Sequence, residues 1–121
     1  MAYPYVPPVS TKFLTVMIED VSTAGQIYVV PGFRGKIKKI NSVLNGAIAT
    51  ANAVLTAKIA GTAVTGSTVT IAFSGSAAGD IDTATPTAAN YFTDEQAIEI
   101  ETDGGSDNAV QVVVTLELET I

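Results

Sequence analysis

The sequence predicts an all-β protein: an antiparallel β-sandwich or jelly roll of about eight strands, preceded by an extended N-terminal arm. Apolar and polar residues alternate with a period of two through most of the chain, which is typical of strands with one buried face. Gly, Ser, Thr and Asn fill the segments between these runs, as turns require. No window carries a capped apolar stripe of helical period. Many short strands without helices favour a sandwich or jelly roll.

Seven segments carry the strand pattern. They are residues 12–19, 26–30, 34–44, 53–60, 61–73, 96–102 and 109–120. The third segment loses its alternation near Lys38 and Lys39, which predicts a β-bulge there. The fifth segment divides into a turn, a short strand, a second turn at Gly66–Ser67 and another strand. Residues 49–61 are rich in alanine, but Val54, Leu55 and Ile59 favour a strand over a helix.

Two segments lie outside this pattern. The segment YPYVPPV, residues 3–9, contains three prolines, which favour an extended arm and prevent a place inside a sheet. A proline-bearing strand at a sheet edge is the alternative. Residues 74–91 form a predicted loop whose length is typical of a functional connection, with a plain crossover between strands as the alternative. We therefore divide the chain into an arm, residues 1–10, and one domain, residues 11–121.

Composition excludes several kinds of chemistry. The chain has no cysteine and no histidine, so disulfides, thiol catalysis, His-based triads and Cys- or His-ligated zinc are excluded. The paired carboxylates on the two acidic strands have no aromatic pocket in the sequence to tune them, so no catalytic residue and no cofactor is predicted. Calcium binding by Asp80 and Asp82, or by Asp103, Asp107 and Asn108, stays open beside ordinary turn chemistry.

Charge is divided unevenly along the chain. The net charge is −6, yet residues 1–79 carry six basic and two acidic side chains, a net of +4. Residues 80–121 carry ten acidic side chains and no basic one. A nucleic-acid interface at the basic strand RGKIKKI would need a net positive domain with interleaved aromatics, so nucleic acid is not a predicted partner. Pairing with the acidic strands, within the chain or between subunits, fits the charges better. The predicted subunit-contact residues are Arg34, Lys36, Lys38, Glu99, Glu101, Glu117 and Glu119.

The order of features over residues 27–119 resembles a known family. A strand ends in VLNGAI, the turn AGTAVTG follows the next strand, and a TPTAAN loop precedes the closing segments IEIETDGG and VVVTLEL. This order resembles the head decoration (cement) proteins of tailed bacteriophages. The resemblance implies a non-enzymatic virion protein, commonly a homotrimer. It would bind the outer capsid surface, bridge major capsid subunits and stabilise the shell without contacting a membrane or nucleic acid. The N-terminal residues MAYPYVPPVSTK have no basic region and no uninterrupted apolar run, so we expect no secretory signal and synthesis in the host cytoplasm.

The capsid contacts are expected in the arm and after the TPTAAN loop. Tyrosine covers a large area with few torsions, and proline reduces the entropy lost when a segment docks. The predicted contact residues are Tyr3, Pro4, Tyr5, Val6, Pro7, Pro8, Tyr91 and Phe92. The alternatives are a phage fibre or spike head that binds a host glycan or receptor, and a carbohydrate-binding module. The absence of tryptophan disfavours both.

Overall fold

The computed structural model describes residues 9–121, and the elements and contacts reported below belong to that part of the chain. It contains ten β-strands. They are β1 Thr11–Ile18, β2 Gly25–Val29, β3 Gly35–Leu44, β4 Ala53–Ile59, β5 Thr62–Ala63, β6 Val69–Ile71, β7 Ile81–Ala84, β8 Tyr91–Phe92, β9 Ile98–Thr102 and β10 Val112–Thr120.

The strands form two five-stranded antiparallel sheets. Sheet A has the order β1-β10-β3-β7, with β8 also pairing with β3. Sheet B has the order β2-β9-β4-β5, with β6 also pairing with β4. The chain alternates between the two sheets over its first four strands. The predicted β-sandwich is confirmed, and its finer assignment to a jelly roll stays a prediction with which this strand order is compatible.

The core lies between the two sheets because alternate residues of each strand point inward. In β10 the inward track is Val112, Val114, Leu116 and Leu118, and all four are buried. Ile98 and Ile100 of β9 are buried in the same core from sheet B. Burial of this apolar surface is the main force that holds the sheets together.

The bulge predicted in the basic strand is confirmed. Glu117 pairs with Lys39 and Leu118 pairs with Ile37, which leaves Lys38 as the extra residue of β3. Ile37 and Ile40 are three residues apart, so only such an insertion lets both point into the core. The bulge therefore keeps the hydrophobic face continuous and displays Lys38 on the surface.

The prediction of one long loop over residues 74–91 is wrong. Residues 81–84 form β7, which pairs with β3 from Val43↔Ile81 to Ile40↔Ala84. Tyr91, the last residue of the predicted loop, begins β8. By contrast, the predicted turn, strand, turn and strand of residues 61–73 are confirmed as β5 and β6, with Gly66 in the left-handed region at φ 78°.

Hydrogen bonds join the first residues of the domain to the end of β10. The Ser10 amide donates to Thr120 Oγ1 at 2.9 Å, and the Thr120 amide donates to the Ser10 carbonyl at 2.9 Å. These bonds extend the pairing of β1 with β10 by one residue. Residues 1–8, and with them the six predicted contact residues of the arm, lie outside the described part of the chain. Within residues 9–121, no helix has the length and apolarity needed to span a membrane.

Candidate interaction surface

The outer face of sheet A carries an apolar row that crosses four strands. Met17, Val113, Val43 and Ile81 lie directly opposite one another in turn. Directly opposite residues of antiparallel strands share a face, so the four side chains form one line. Met17 is 44% exposed and Ile81 is 69% exposed, while the two valines between them are half-buried. We call these four residues the apolar row.

The next line across the same face is polar but uncharged. Thr15, Thr115, Asn41 and Thr83 are consecutive partners in β1, β10, β3 and β7. The Thr83 hydroxyl donates to Asn41 Oδ1 at 2.8 Å, which fixes one end of the line. The apolar row and this line together form an uncharged half of the sheet A surface.

The other half of the face holds the basic strand and its acidic neighbour. Glu119 Oε2 lies 3.1 Å from Lys38 Nζ, and Glu119 Oε1 lies 3.8 Å from Lys36 Nζ. The Lys36 ammonium also lies 5.8 Å from the centroid of the Tyr91 ring, within cation–π range. The basic strand therefore has a partner inside its own chain, which is one of the two pairings that the charge pattern predicted.

Glu119 and Lys38 shift each other's protonation. The hydrogen bond from Lys38 is the largest cause that lowers the pKa of the Glu119 carboxyl. The same hydrogen bond, followed by the negative charge of Glu119, raises the pKa of Lys38. Both side chains are exposed to solvent to a substantial degree, and exposed ion pairs of this kind contribute little to stability. The pair thus fixes surface geometry more than it stabilises the fold.

We predict that Lys38→Met raises the pKa of Glu119 toward that of a free glutamate. The folded pKa is lowered, so the pair contributes stability above the pKa of unfolded glutamate, and this contribution is lost as the pH falls through the folded pKa. The pKa is measured from the pH dependence of the Glu119 carboxyl carbon shift by NMR. Lys39→Met is the control because Lys39 lies opposite Glu117 instead. An equal rise in both variants would contradict the assignment.

The two contact residues predicted after the TPTAAN loop differ in their exposure to solvent. Tyr91 is 59% exposed and is available for contact. Phe92 is 1% exposed, and its ring packs edge-on against Phe33 with the centroids 5.7 Å apart. Phe92 was predicted as a contact residue, and this is corrected: its side chain belongs to the core.

The acidic residues of β9 lie on the outer face of sheet B, far from the basic strand. Glu101 pairs with Lys58 at 3.3 Å, a partner that the charge pattern of the sequence did not indicate. Glu99 was predicted as a subunit-contact residue, but it is only 9% exposed. It lies between Tyr28 and Lys58, its neighbours in β2 and β4, which flank it on both sides. Sheet B therefore does not offer a fully exposed acidic stripe.

The remaining predicted subunit-contact residues lie at the charged half of sheet A. Arg34 is exposed just before β3, and its carbonyl accepts a hydrogen bond from the Ile121 amide at 3.2 Å. Glu117 is half-buried on β10 opposite Lys39. With Lys36, Lys38 and Glu119, these residues form a compact mixed-charge patch. Their role between subunits stays a prediction.

Three of the aspartates that could have bound calcium accept hydrogen bonds from backbone amides or a hydroxyl of this chain. Asp103 Oδ1 accepts from the amides of Val54 and Gly105, both at 3.0 Å. Asp107 Oδ2 accepts from the Thr50 hydroxyl at 2.6 Å, and Asp80 Oδ2 accepts from the Ala77 amide at 2.9 Å. Among the described residues, no cluster of three or more acidic side chains is placed to hold a metal ion.

Asp82 occupies a different environment from these turn aspartates. It lies on β7, in the strand that pairs with β3. Burial, followed by the negative charge of the neighbouring Asp80, raises the pKa of the Asp82 carboxyl.

A shallow cleft of about 350 Å³ lies where β1 ends and β2 begins. Its walls include Met17, Ile27 and Thr102, with Glu19 and Asp20 at the connection. The Asp20 carboxylate is engaged by Ser22 and Thr23 in a local turn, and the Ser22 hydroxyl is the largest cause that lowers the pKa of Asp20. The Asp20 carboxylate therefore organises this turn.

Comparison with protein-family models gives no match for this chain, and comparison with curated proteins gives none either. The candidate interaction surface is therefore described from its geometry alone. Sequence reasoning missed the apolar row because each member lies on a different strand. One weak sign of the apolar row was present in the sequence. Val43 and Val113 are apolar residues at outward-facing positions of their strands, where polar residues are usual.

Proposed function

We propose that this protein is a non-enzymatic structural component of a tailed-bacteriophage virion. It binds the outside of the capsid, bridges major capsid subunits and stabilises the shell. The observation that carries the proposal is the uncharged half of sheet A, whose apolar row runs across the whole sheet. An exposed apolar line with a polar border is typical of a protein-binding surface. The resemblance of residues 27–119 to decoration proteins supplies the identity of the partner.

The two halves of the sheet A face suit different tasks in such an interface. The apolar row excludes water and supplies most of the binding energy, as central apolar contacts do in other interfaces. The mixed-charge patch around Glu119 lies at the opposite end of the same strands. Charges at an interface rim mainly set orientation and association rate. A capsid surface with a complementary apolar site would therefore receive the protein in one orientation.

Many weak contacts are sufficient for this task. A homotrimer, the state implied by the resemblance, presents three copies of the surface to a symmetric lattice. Once one of the three surfaces of a trimer is bound, the other two bind intramolecularly, at a high effective concentration. A modest affinity per copy then gives lasting attachment, and attachment across subunit boundaries opposes their separation.

We predict that Ile81→Lys lowers the affinity for capsids about tenfold or more, which corresponds to the loss of roughly 1.4 kcal/mol or more. Ile81 is the most exposed member of the apolar row, so a lysine there disturbs the surface without disturbing the core. Binding is measured by cosedimentation with capsids purified from a strain in which the gene is deleted.

The matched control is Tyr28→Lys, because Tyr28 is equally an exposed strand residue but lies on the outer face of sheet B. We expect this variant to bind within about twofold of wild type, since it lies outside the proposed surface. Equal losses in both variants, or no loss in either, would contradict the assignment of the surface. Circular dichroism on each variant shows that the fold is retained.

A further inference from the structure

We propose that Asn45 is a site of spontaneous deamidation, where the main-chain nitrogen of Gly46 attacks the side-chain amide and leaves aspartate and isoaspartate in place of asparagine. The reaction at this site does not depend on the proposed function. Its consequence rests on the proposed function, because Asn45 borders the apolar row and the reaction adds a negative charge there. Three observations carry the inference: the Asn-Gly pair, its exposure, and the absence of a steric need for glycine at position 46.

Asn45 is followed by the residue that hinders such a reaction least. Asparagine is among the thermolabile residues of proteins. Its cyclisation depends on how closely the next main-chain nitrogen can approach the side-chain amide. A side chain on the next residue restricts that approach, whereas glycine has none. Of the five asparagines in the chain, only Asn45 precedes a glycine.

The Asn-Gly pair lies where the backbone leaves sheet A. Asn45 and Gly46 form a bend directly after β3, and Asn45 is exposed to solvent. The Asn45 side-chain amide donates to Gln111 Oε1 at 3.3 Å, which is longer than most N–H···O hydrogen bonds. Among the hydrogen bonds within residues 9–121, none is donated by the Gly46 amide. The attacking nitrogen is therefore not held in a bond that the reaction would have to break, and water reaches the side chain that reacts.

The fold gives no steric reason for glycine at position 46. Gly46 is not among the glycines with a left-handed backbone, unlike Gly104. An added Cβ would lie 3.6 Å from Val110 Cγ1, which is an ordinary van der Waals contact. Alanine at this position is therefore expected to keep the fold, and it supplies a matched variant whose methyl group hinders the attack.

The other four asparagines are held more firmly. Each is followed by a residue with a side chain, and each makes a side-chain hydrogen bond to a distant part of the chain. The bonds join Asn41 to the Thr83 hydroxyl at 2.8 Å, Asn52 to the Phe73 amide at 3.1 Å, Asn90 to the Ile37 carbonyl at 2.8 Å and Asn108 to the Ala47 carbonyl at 3.0 Å. All four are shorter than the bond of Asn45. We therefore expect these asparagines to react far more slowly than Asn45.

The reaction needs water and no other reactant. The Gly46 nitrogen loses its proton and forms a bond to Cγ of Asn45, the bond from Cγ to Nδ2 breaks, and ammonia leaves with that proton. Water then opens the resulting cyclic imide, supplying the hydroxyl group of the new acid and returning a proton to the nitrogen. Addition of water at Cγ breaks the bond from Cγ to the nitrogen and gives aspartate. Addition at the main-chain carbonyl carbon breaks the bond from that carbon to the nitrogen and gives isoaspartate, in which the main chain passes through the former side chain.

The new charge lies beside the apolar row. The Asn45 amide donates to the Gln111 carbonyl at 3.0 Å, which continues the pairing of β3 with β10 beyond the last residue of β3. Because strand side chains alternate, Asn45 follows Val43 on the outer face of sheet A, and Gln111 precedes Val113 there. Deamidation therefore places a carboxylate at the border of the uncharged half of the surface, where a binding partner would have to desolvate it. Isoaspartate also lengthens the main chain at the end of β3.

Peptide mapping of the full-length protein tests the inference. Trypsin releases residues 40–58 as one peptide, because Lys39 and Lys58 define its ends and no lysine or arginine lies between them. The same peptide contains Asn41 and Asn52, which serve as internal controls. The protein is incubated at mildly alkaline pH, digested at successive times and analysed by mass spectrometry with electron-transfer fragmentation, which separates aspartate from isoaspartate. Protein digested without incubation corrects for products formed during digestion.

We expect aspartate and isoaspartate to rise with time at residue 45, with residues 41 and 52 unchanged over the same period. Gly46→Ala should slow the rise severalfold, and circular dichroism on this variant shows that the fold is retained. The absence of product at residue 45, an equal rise at residues 41 and 52, or an equal rate in Gly46→Ala would overturn the inference.

Cosedimentation with capsids tests the consequence separately. Asn45→Asp and the incubated wild type should bind severalfold more weakly than fresh wild type, while Gly46→Ala incubated in parallel should bind as fresh protein does. Equal binding by all of these forms would overturn the stated effect on the surface. If residue 45 is modified but even fresh protein fails to bind capsids, the proposed function alone is contradicted, because the peptide map does not involve the capsid.

Discussion

Replacing Leu116 by alanine is expected to lower the free energy of unfolding by about 2–5 kcal/mol, the cost typical of truncating a large side chain in a packed core. Leu116 is fully buried near the middle of β10, the strand between β1 and β3. Its register partners are Leu14 and Ile40, so its side chain lies where the apolar layer of sheet A is continuous. Truncation leaves a cavity that the flanking strands cannot close without breaking their pairing.

The control for this prediction is Leu116→Met. Methionine conserves most of the volume, so its cost should stay below about 1.5 kcal/mol. Both variants are compared with wild type by urea unfolding at one protein concentration, since oligomer formation makes apparent stability depend on concentration. Equal small losses in both variants would mean that Leu116 is not at a tightly packed position, and the described core would be wrong there.

Replacing Gly104 by alanine is expected to cost about 2–5 kcal/mol, for two separate reasons. Gly104 has φ 70°, a left-handed conformation that costs an ordinary residue roughly 1–2 kcal/mol. An added Cβ would also lie 2.4 Å from the backbone nitrogen of Ala24, which must move. Overpacking against a rigid neighbour adds about 1–3 kcal/mol. The absence of a side chain at Gly104 therefore allows the turn after β9 to pack closely against the connection between β1 and β2.

Gly32→Ala separates the two causes. Gly32 has φ 81°, but an added Cβ would meet nothing within 4 Å. Its cost should therefore be the conformational cost alone, about 1–2 kcal/mol. The difference between the alanine variants in thermal or urea unfolding measures the steric clash at Gly104. If Gly32→Ala is as destabilising as Gly104→Ala, the close packing of the two loops is contradicted.

The fold could be predicted where the pattern is local. β10 alternates without interruption, so its buried and outward tracks are readable directly from the sequence. The bulge at Lys38 was also readable, because two apolar residues separated by three positions cannot share a face without an insertion. β7 was missed because IDTA is short and its Asp82 and Thr83 are typical of loops. Its strand character comes from pairing with β3, some forty residues earlier in the sequence.

The candidate surface depended almost entirely on register. No single strand reveals that Met17, Val113, Val43 and Ile81 align, because their alignment follows from three separate pairings. The burial of Glu99 has the same origin, since Tyr28 and Lys58 reach it from adjacent strands. Phe92 was predicted as a contact beside Tyr91, but neighbouring strand residues point to opposite faces. One of the two therefore had to enter the core.

The basic strand shows what the distribution of charge along the sequence can and cannot predict about ion-pair partners. That distribution correctly indicated that the positive segment has an acidic partner, and Glu119 provides one for Lys36 and Lys38. It did not indicate which glutamates would take part, because Glu99 and Glu101 belong to the other sheet. Assignment of charge partners requires the sheet order, which depends on contacts between distant segments.

The most direct test of the central claim is antibody labelling of virions purified from a strain that carries the gene, viewed by electron microscopy. The proposed function predicts label over the outer capsid surface, and virions without the gene should lose both the label and resistance to heating. Label confined to tail fibres or spikes would contradict capsid binding and favour a receptor-binding head domain. Virions that carry no label at all would contradict a structural role in the particle.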